Sequence, residues 1–344
     1  MKALIGMSGG VDSSVAVYLT KQAGYDCVGG TMLLHDSTEK AVADAKAVAQ
    51  RLQIPFHVFD LSQRFRDTVI SDFIGCYEQG LTPNPCIVCN RYLKFGVFLD
   101  IAREMGCSHV VTGHYARIAE ENGRFLLKKA TDEAKDQTYF LYTLTQDQLA
   151  HTLFPLGNLT KAEAREIAQV QGFINAKKQD SQDICFVPDG DYLAFMEGYT
   201  GKHYDCGNFL DLQGKVVGRH KGAVGYTLGQ RKGLGLAMGA PVYVCEKDMA
   251  ANTVTVGPNE ALFHRSLRAK DWNWISIPAL TVPIRVTAKA RSRMVEQPAT
   301  IYPEENGFAR VVFDTPQRAI TPGQAVVLYD GDTVVGGGTI AEVL

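Results

Sequence analysis

The stretch Gly6–Ser14 (GMSGGVDSS) follows directly on the apolar run Lys2–Gly6 and leads into Val15–Leu19, and its residue types suit the cradling of phosphate. Gly9 and Gly10 let the backbone approach an anion with no Cβ in the way, while Ser8, Ser13 and Ser14 offer hydroxyl donors. A helix beginning near Asp12 adds free N–H groups and the positive end of its dipole. A carboxylate beside phosphates makes sense chiefly if a cation lies between them, so Mg²⁺ is expected near Asp12 together with a nucleotide. The chain has no Gly-Lys-Ser/Thr ending, which excludes a Walker loop. A plain glycine-rich turn with a polar cap is the reading without function, and composition alone leaves it open.

Sulfur supplies the second candidate chemistry. Thr82–Asn90 (TPNPCIVCN) sets Cys86 and Cys89 in a Cys-x-x-Cys spacing at a helix N-terminus, where the dipole lowers a thiol pKa and favours the reactive thiolate. About a hundred residues later, in a polar loop, Ser181–Phe186 (SQDICF) carries Cys185. Cys27, Cys107, Cys206 and Cys245 read as small buried hydrophobes. Half of a zinc site is present in Cys86 and Cys89, but no second Cys-x-x-Cys or His pair follows, so a structural zinc is not expected.

These groups need elements to hold them. Strands are expected at 2–6, 25–34, 54–59 and 109–112, alternating with helices at 40–52, 65–77 and 91–105. That alternation means a parallel sheet with right-handed crossovers, whose ligands sit outside the carboxyl ends of the strands. Met32 and Gly113 lie at such ends. A hairpin is expected around Glu121-Asn122-Gly123, and Thr160 with Glu163 forms a capping box for a helix that Gly172 ends. Residues 175–185 read as a loop. After Gly201 short β-type runs between glycines and prolines indicate a small β domain to about Leu262 and a β-barrel from Ser266 to Leu344.

With 344 residues, 46% hydrophobic and 21% charged, the chain fits an ordinary globular protein of two or three domains. The N-terminal apolar run is too short for a signal peptide and no run approaches the ~18 apolar residues of a membrane span, so a cytoplasmic protein with reduced thiols is expected. The net charge of −2 hides a central excess: residues 201–301 hold 14 Lys+Arg against 7 Asp+Glu, suited either to a phosphate backbone or to plain solvation. Lys289, Arg291 and Arg293 recur with period two and are expected on one face of a strand. Gly233–Gly239 (GLGLAMG) mimics a dinucleotide fingerprint, but its last spacing is wrong and no βαβ unit surrounds it.

The string Ser8–Ser14 (SGGVDSS) resembles the pyrophosphate loop of the PP-loop ATP pyrophosphatases, which adenylate a carbonyl oxygen, release pyrophosphate and let a nucleophile displace AMP. Taken with TPNPCIVCN, Thr112–Tyr115 (TGHY), Lys135–Leu141 (KDQTYFL), SQDICF, Leu228–Gly235 (LGQRKGLG) and Thr321–Gln324 (TPGQ), in this order across nearly the whole chain, it resembles the bacterial tRNA-specific 2-thiouridylases of the MnmA type. The resemblance implies an α/β protein: a parallel-sheet, adenine nucleotide alpha hydrolase-like PP-loop domain at 1–200, a small β domain at 201–262 and a tRNA-binding β-barrel at 263–344. It implies ATP, with Mg²⁺, as the energy source, the wobble uridine of tRNA (of the Lys, Glu and Gln kinds) as substrate, a sulfur donor protein or sulfide source as partner, and a monomer.

Residue by residue, the resemblance implies that Gly6, Met7, Ser8, Gly9, Gly10, Val11, Asp12, Ser13, Met32 and Gly113 contact ATP. Asn84, Pro85, Cys86, His114, Lys135, Asp136, Gln137, Arg291, Ser292 and Gln324 would lie on the tRNA, with Cys89 as nucleophile and Cys185 as persulfide carrier. The chemistry is consistent: an amide-like carbonyl becomes a good electrophile once its oxygen can leave with AMP, and the outer sulfur of a persulfide is released by attack of a second thiol. The uridine must be splayed out of its stack to reach such a site.

Three departures stand out. Cys86 replaces a common Asp, the segment after Met32 is short, and Ser292 stands where an aromatic is common. With three cysteines in play, a [4Fe–4S] cluster on Cys86, Cys89 and Cys185 is an alternative route for sulfur. A PP-loop ligase acting on a small molecule and a non-catalytic RNA-binding or sulfur-carrier protein are the other readings.

Overall fold

The computed structural model describes residues 1–35, 39–176, 178, 184–187 and 189–344. Its first unit is a five-stranded parallel sheet of β1 (Lys2–Gly6), β2 (Asp26–Leu33), β3 (Phe56–Asp60), β4 (His109–Val111) and, past the hairpin strands β5 (Arg117–Glu121) and β6 (Arg124–Lys128), β7 (Thr152–Leu153). The spatial order is β3-β2-β1-β4-β7, so the winding reverses between β1 and β4. Side chains alternate across β1 as the period of two requires. Ala3 and Ile5 enter a core with α1 (Val11–Gln22), α2 (Glu39–Arg51) and the helix Lys161–Val170. Leu4 enters the opposite core with Val28, Phe98 and Val110. Gly30 makes room there, since a Cβ would lie 2.9 Å from Phe59 and 3.1 Å from Phe98.

Two long helical runs differ from their expected bounds. The first spans 62–78, and the second starts at Pro85 and continues to 104, with wider i→i+5 turns from Asn90 to Val97. Cys86 and Cys89 therefore sit in the first turn of the run, after a proline at its first position. Strand β7 and the short helix Gln146–Ala150 escaped the sequence reading because neither is long enough to show a period. The Thr160–Glu163 capping box is formed, and Gly172 (φ 64°) follows the helix. The expected loop at 175–185 falls largely outside the described residues. Among the described residues no helix is long and apolar enough to cross a membrane.

The hairpin β5–β6 turns at Asn122 (φ 52°) and Gly123 (φ 73°), the left-handed pair that a two-residue turn needs. It leaves the parallel sheet and joins the C-terminal barrel, where Lys128 pairs with Thr333. The middle unit is a four-stranded sheet of β8 (Gly207–Leu210), β9 (Val216–His220), β10 (Tyr243–Asp248) and β11 (Thr253–Gly257), packed around Phe209, Val244 and Val254. Six further strands close on themselves: β12 (Phe263–Trp274), β13 (Ile284–Lys289), β14 (Gln297–Pro303), β15 (Ala309–Arg318), β16 (Ala325–Asp330) and β17 (Thr333–Val343). Pairing of β12 with both β15 and β17 completes the barrel and leaves no open edge among the six.

One expectation fails here. Strand β13 ends at Lys289, and residues 290–296 form the connection to β14, so Lys289, Arg291 and Arg293 do not share a strand face. The central basic excess is also partly neutralised, since Arg268 pairs with Glu304 and Glu342, and Arg285 with Asp314.

Candidate active site

At the switch point between β1 and β4 the chain turns sharply through Ser8–Gly10 into α1. Gly9 has φ +67°, and a Cβ there would lie 2.3 Å from the Ala41 carbonyl oxygen, so both conformation and space require glycine. Gly113 is needed for space alone, because a Cβ would lie 2.7 Å from the Ser13 nitrogen. The serines divide their work in a way the sequence did not show. Ser14 is fully buried, donating to the Gly10 carbonyl at 2.9 Å and accepting from Asn175 at 2.9 Å. Ser13 donates to Gly10 at 3.1 Å and accepts from the Ser8 amide at 3.2 Å. Both brace the loop from behind. Ser8 is exposed and is the serine of the three that lines the cavity in front.

Asp12 also lines that cavity, and it is not alone there. Lys161 donates to both of its carboxylate oxygens, at 2.7 and 2.8 Å, and the Tyr115 hydroxyl donates to Oδ1 at 2.9 Å. Lys161 is only 8% exposed, the first residue of its helix, and a lining residue. Sequence reasoning missed it because nothing local marks the lysine after a capping threonine as the partner of a residue 149 positions away. Lys178 joins the same corner, donating to the Gly9 carbonyl at 3.1 Å and pairing with Asp44 at 2.9 Å. Asp12 Oδ2 accepts from Lys161, and its carboxylate is a hard oxygen ligand fit for Mg²⁺. Gly6 and Met7 belong to the strand and its core. Met7 is 2% exposed, with its carbonyl accepting from Thr31 at 2.7 Å, and Met32 is half-buried against Phe59.

The same cavity also carries sulfur. Cys86, Cys89 and Cys185 all line the same cavity of about 790 Å³ as Ser8, Asp12 and Lys161. Cys86 and Cys185 are exposed, whereas Cys89 is 8% exposed in an apolar cluster with Phe65, Phe73, Leu93 and Phe186. The expected lowering of its thiol pKa by the helix dipole is overturned: burial pushes Cys89 up to about 11, outweighing the opposing charge of Lys94. The Cys185 thiol, although its residue is open to solvent, is also raised by desolvation from the chain packed around it, with the charge of Cys86 adding to it. The neighbouring Phe186 ring is anchored edge-on against Phe65 and Phe73, at 5.5 and 5.3 Å. Residues Ser181, Gln182 and Asp183 of this motif lie outside the described residues. Among the described residues no three His, Cys, Asp or Glu side chains are grouped so as to hold a metal ion, so the three-cysteine cluster does not fit this arrangement.

The residues expected on tRNA separate into two groups. Pro85, Cys86, Lys135, Asp136, Gln137 and Ser292 line the cavity, joined by Arg293. Within it Gln137 accepts from the Tyr115 amide at 2.9 Å, and Asp136 accepts from the Ala130 amide at 3.0 Å and the Thr138 hydroxyl at 2.6 Å, while burial raises its pKa. Gln324, Arg291 and His114 make contacts within the protein. Gln324 donates to the carbonyls of Thr82 and Pro83, both at 3.0 Å, and the Thr82 amide donates to the Pro322 carbonyl at 2.9 Å. A barrel loop thus grips the segment that presents Asn84 and Cys86. Arg291 donates to the Leu228 carbonyl at 2.9 Å and to the Thr321 hydroxyl, tying the middle unit to the barrel. The His114 ring accepts or donates at the Thr112 hydroxyl (2.7 Å) between Phe95 and Phe154, where burial drives its pKa well down and keeps it neutral.

Comparison with known proteins follows the same three-part division. Residues 1–189 match the family described as tRNA methyl transferase HUP domain, 194–258 the tRNA methyl transferase PRC-barrel domain and 264–340 the aminomethyltransferase beta-barrel domain. The chain is 49% identical over 356 residues to the tRNA-specific 2-thiouridylase MnmA of Clostridioides difficile, covering 100% of this chain and 99% of that one. It is 48% identical over 354 residues to the protein of the same name from Acetivibrio thermocellus, covering 98% and 99%. Among solved structures, a 4-thiouridine synthetase–RNA complex with bound ATP is similar at 19% identity and a TM-score of 0.40, covering 58% of this chain and 50% of that chain, too distant to add to the full-length matches.

Proposed function

The chain belongs to the family of tRNA-specific 2-thiouridylases of the MnmA type, a family of ATP-using tRNA sulfurtransferases, and on that premise we propose how its cavity works. The wobble uridine enters it. Its C2 carbonyl oxygen attacks the α-phosphorus of ATP, pyrophosphate leaves, and the outer sulfur of a Cys185 persulfide displaces AMP from C2.

The observation that carries this reading is that Ser8, Asp12 and Lys161 line the same cavity as Cys86, Cys89 and Cys185. An adenylated uridine can therefore meet sulfur without leaving the site, which excludes loss of the activated base to water. Lys161 and the loop N–H groups face the phosphates, where negative charge accumulates as pyrophosphate departs. Asp12 orients Lys161 and is the residue that would hold Mg²⁺, whose bound charge makes pyrophosphate a better leaving group. Tyr115 fixes the Asp12 carboxylate from the β4 side. A small-molecule ligase would have no use for three thiols in the cavity of the nucleotide loop.

The test is pyrophosphate release from ATP with and without unmodified tRNA. Release that depends on added tRNA and is matched by 2-thiouridine in the digested nucleosides supports the proposal. Release at full rate without tRNA would identify a ligase.

A further inference from the structure

We propose that Lys94 is the counter-ion of the sulfur anions in the cavity, a positioning charge that readies Cys89 and Cys185 as nucleophiles. The inference rests on the persulfide reading given above and adds a residue to it.

The chemistry asks for such a charge. Once the outer sulfur of the Cys185 persulfide has displaced AMP, the base is held as a Cys185–S–S–C2 adduct. A second thiol, which the family resemblance assigns to Cys89, loses its proton to solvent and attacks the Cys185 sulfur. The bond between the two sulfurs breaks, its electron pair stays on the sulfur attached to C2 as 2-thiouridine, and a dithiol reductant later reopens the Cys89–Cys185 disulfide. Each nucleophile in this sequence is a sulfur anion, and each forms where packing opposes charge. Burial among Phe65, Phe73 and Phe186 pushes Cys89 up to about 11, and desolvation raises Cys185.

Three observations give Lys94 this part. First, it lines the same cavity as Cys86, Cys89 and Cys185. The local backbone puts it there: the wider i→i+5 turns start at Asn90, so residue 94 comes round to the side of Cys89, whereas in a regular α-helix it would lie about 140° away. Second, its ammonium is uncommitted. Lys161 is paired with Asp12 and Lys178 with Asp44, and Asp136 accepts from the Ala130 amide and the Thr138 hydroxyl. Among the described residues no hydrogen bond or ion pair engages Lys94. Third, its charge is felt at Cys89 and at Cys185, in both cases against the effect of burial, and also at His114, so it lies where the helical run meets the end of β4. Cys86 acts in the opposite sense on both thiols, while Lys135 and Arg293 line the cavity from other segments. A half-buried lysine with no carboxylate is costly to keep for stability alone, and a sulfur anion formed during turnover would be its partner.

The experiment compares wild type, Lys94→Gln, Lys94→Met and Lys94→Arg by the pH dependence of alkylation with iodoacetamide, an uncharged reagent. Cys89 and Cys185 are read by peptide mass spectrometry in the absence of ATP and tRNA. In the Gln and Met variants both thiols are expected to ionise at higher pH, with alkylation of Cys185 at pH 8 slowed about threefold, because a tenfold loss of thiolate is partly offset by its greater nucleophilicity. Lys94→Arg should follow the wild-type profile, and either neutral variant suffices should the other fail to fold. Persulfide-loaded protein is then mixed with ATP, Mg²⁺ and unmodified tRNA at each pH. Thiolation by the neutral variants should be slow at pH 7 and approach the wild-type rate as pH rises, whereas a merely structural role would lower it equally at every pH. Unshifted alkylation profiles in the neutral variants overturn the proposal, as does Lys94→Arg behaving like Lys94→Gln. Unshifted profiles with a raised KM for tRNA would make Lys94 a phosphate contact instead. Retention of sulfane sulfur on Cys185 through turnover refutes the persulfide reading and the part of Lys94 within it, a result seen separately from the alkylation profiles.

Discussion

On the phosphate side of the cavity Ser13, Ser14, Asp12 and Lys161 are already hydrogen-bonded to one another or to the loop backbone, so the wall is set before any ligand arrives. Around the cysteines the side chains are held by apolar packing around Phe186, and of the three cavity-lining thiols two are exposed and one is buried. Stabilising a fixed charge pattern calls for pre-set donors, because reorganising them during the reaction would cost energy. Thiol exchange instead needs a nucleophile that can be approached and a bond that is formed and broken in every cycle.

The sharpest way to separate the two walls is to remove the sulfur carrier. Cys185→Ser is expected to lower 2-thiouridine formation by about a thousandfold or more, the scale of losing a covalent catalyst, while tRNA-dependent pyrophosphate release continues. Loss of both activities together would mean that the walls are not independent.

Changes on the phosphate wall should give the complementary pattern. Asp12→Asn is expected to lower tRNA-dependent pyrophosphate release by about a hundredfold or more with the fold retained, and Lys161→Met by about tenfold to a hundredfold. Because the two residues form one ion pair, the double variant should lose far less than the product of the single losses, measured as a double-mutant cycle on kcat/KM for ATP. Additive losses would separate Lys161 from Asp12.

The same contrast explains what could be read from the chain. The phosphate loop was legible because its glycines, serines and aspartate are consecutive, and the parallel sheet because strands and helices alternate with clear periods. Lys161 was not, since its partnership with Asp12 arises where the helix start meets the loop in space. Nor was the fate of the cysteines. Cys86 and Cys89 share one helical turn and look equivalent in sequence, yet tertiary packing exposes one and buries the other. Gln324 and Arg291 are expected on RNA from their motifs, and the fold also uses them to join loops and units, contacts visible only once the barrel has closed.

Thiol reactivity offers a smaller effect that reads burial directly. At pH 8, brief iodoacetamide treatment of the folded protein should alkylate Cys86 well ahead of Cys89, as peptide mass spectrometry would show. Alkaline stability carries the matching sign: with Cys89 held near 11 in the fold against 9.0 for an ordinary thiol, the native state binds more protons than the unfolded one between those values. Its contribution is fully present below about pH 9 and is lost as pH rises towards 11, and Cys89→Ala should flatten that part of the stability profile. The smallest expected change is at Thr160, whose hydroxyl and Glu163 partner cap the helix that begins with Lys161. Thr160→Ala should cost about 1 kcal/mol, seen as faster hydrogen exchange in residues 161–164, with iodoacetamide reactivity of Cys86 unchanged.

The claim that both walls act on one base is tested most directly by following the carbonyl oxygen. Unmodified tRNA carrying heavy oxygen at C2 of the target uridine is incubated with the protein, ATP, Mg²⁺ and a persulfide donor, and the AMP produced is weighed by mass spectrometry. The account predicts one heavy oxygen in AMP for every 2-thiouridine formed. Unlabelled AMP alongside 2-thiouridine would contradict it, because the oxygen displaced by sulfur would then never have been joined to the nucleotide.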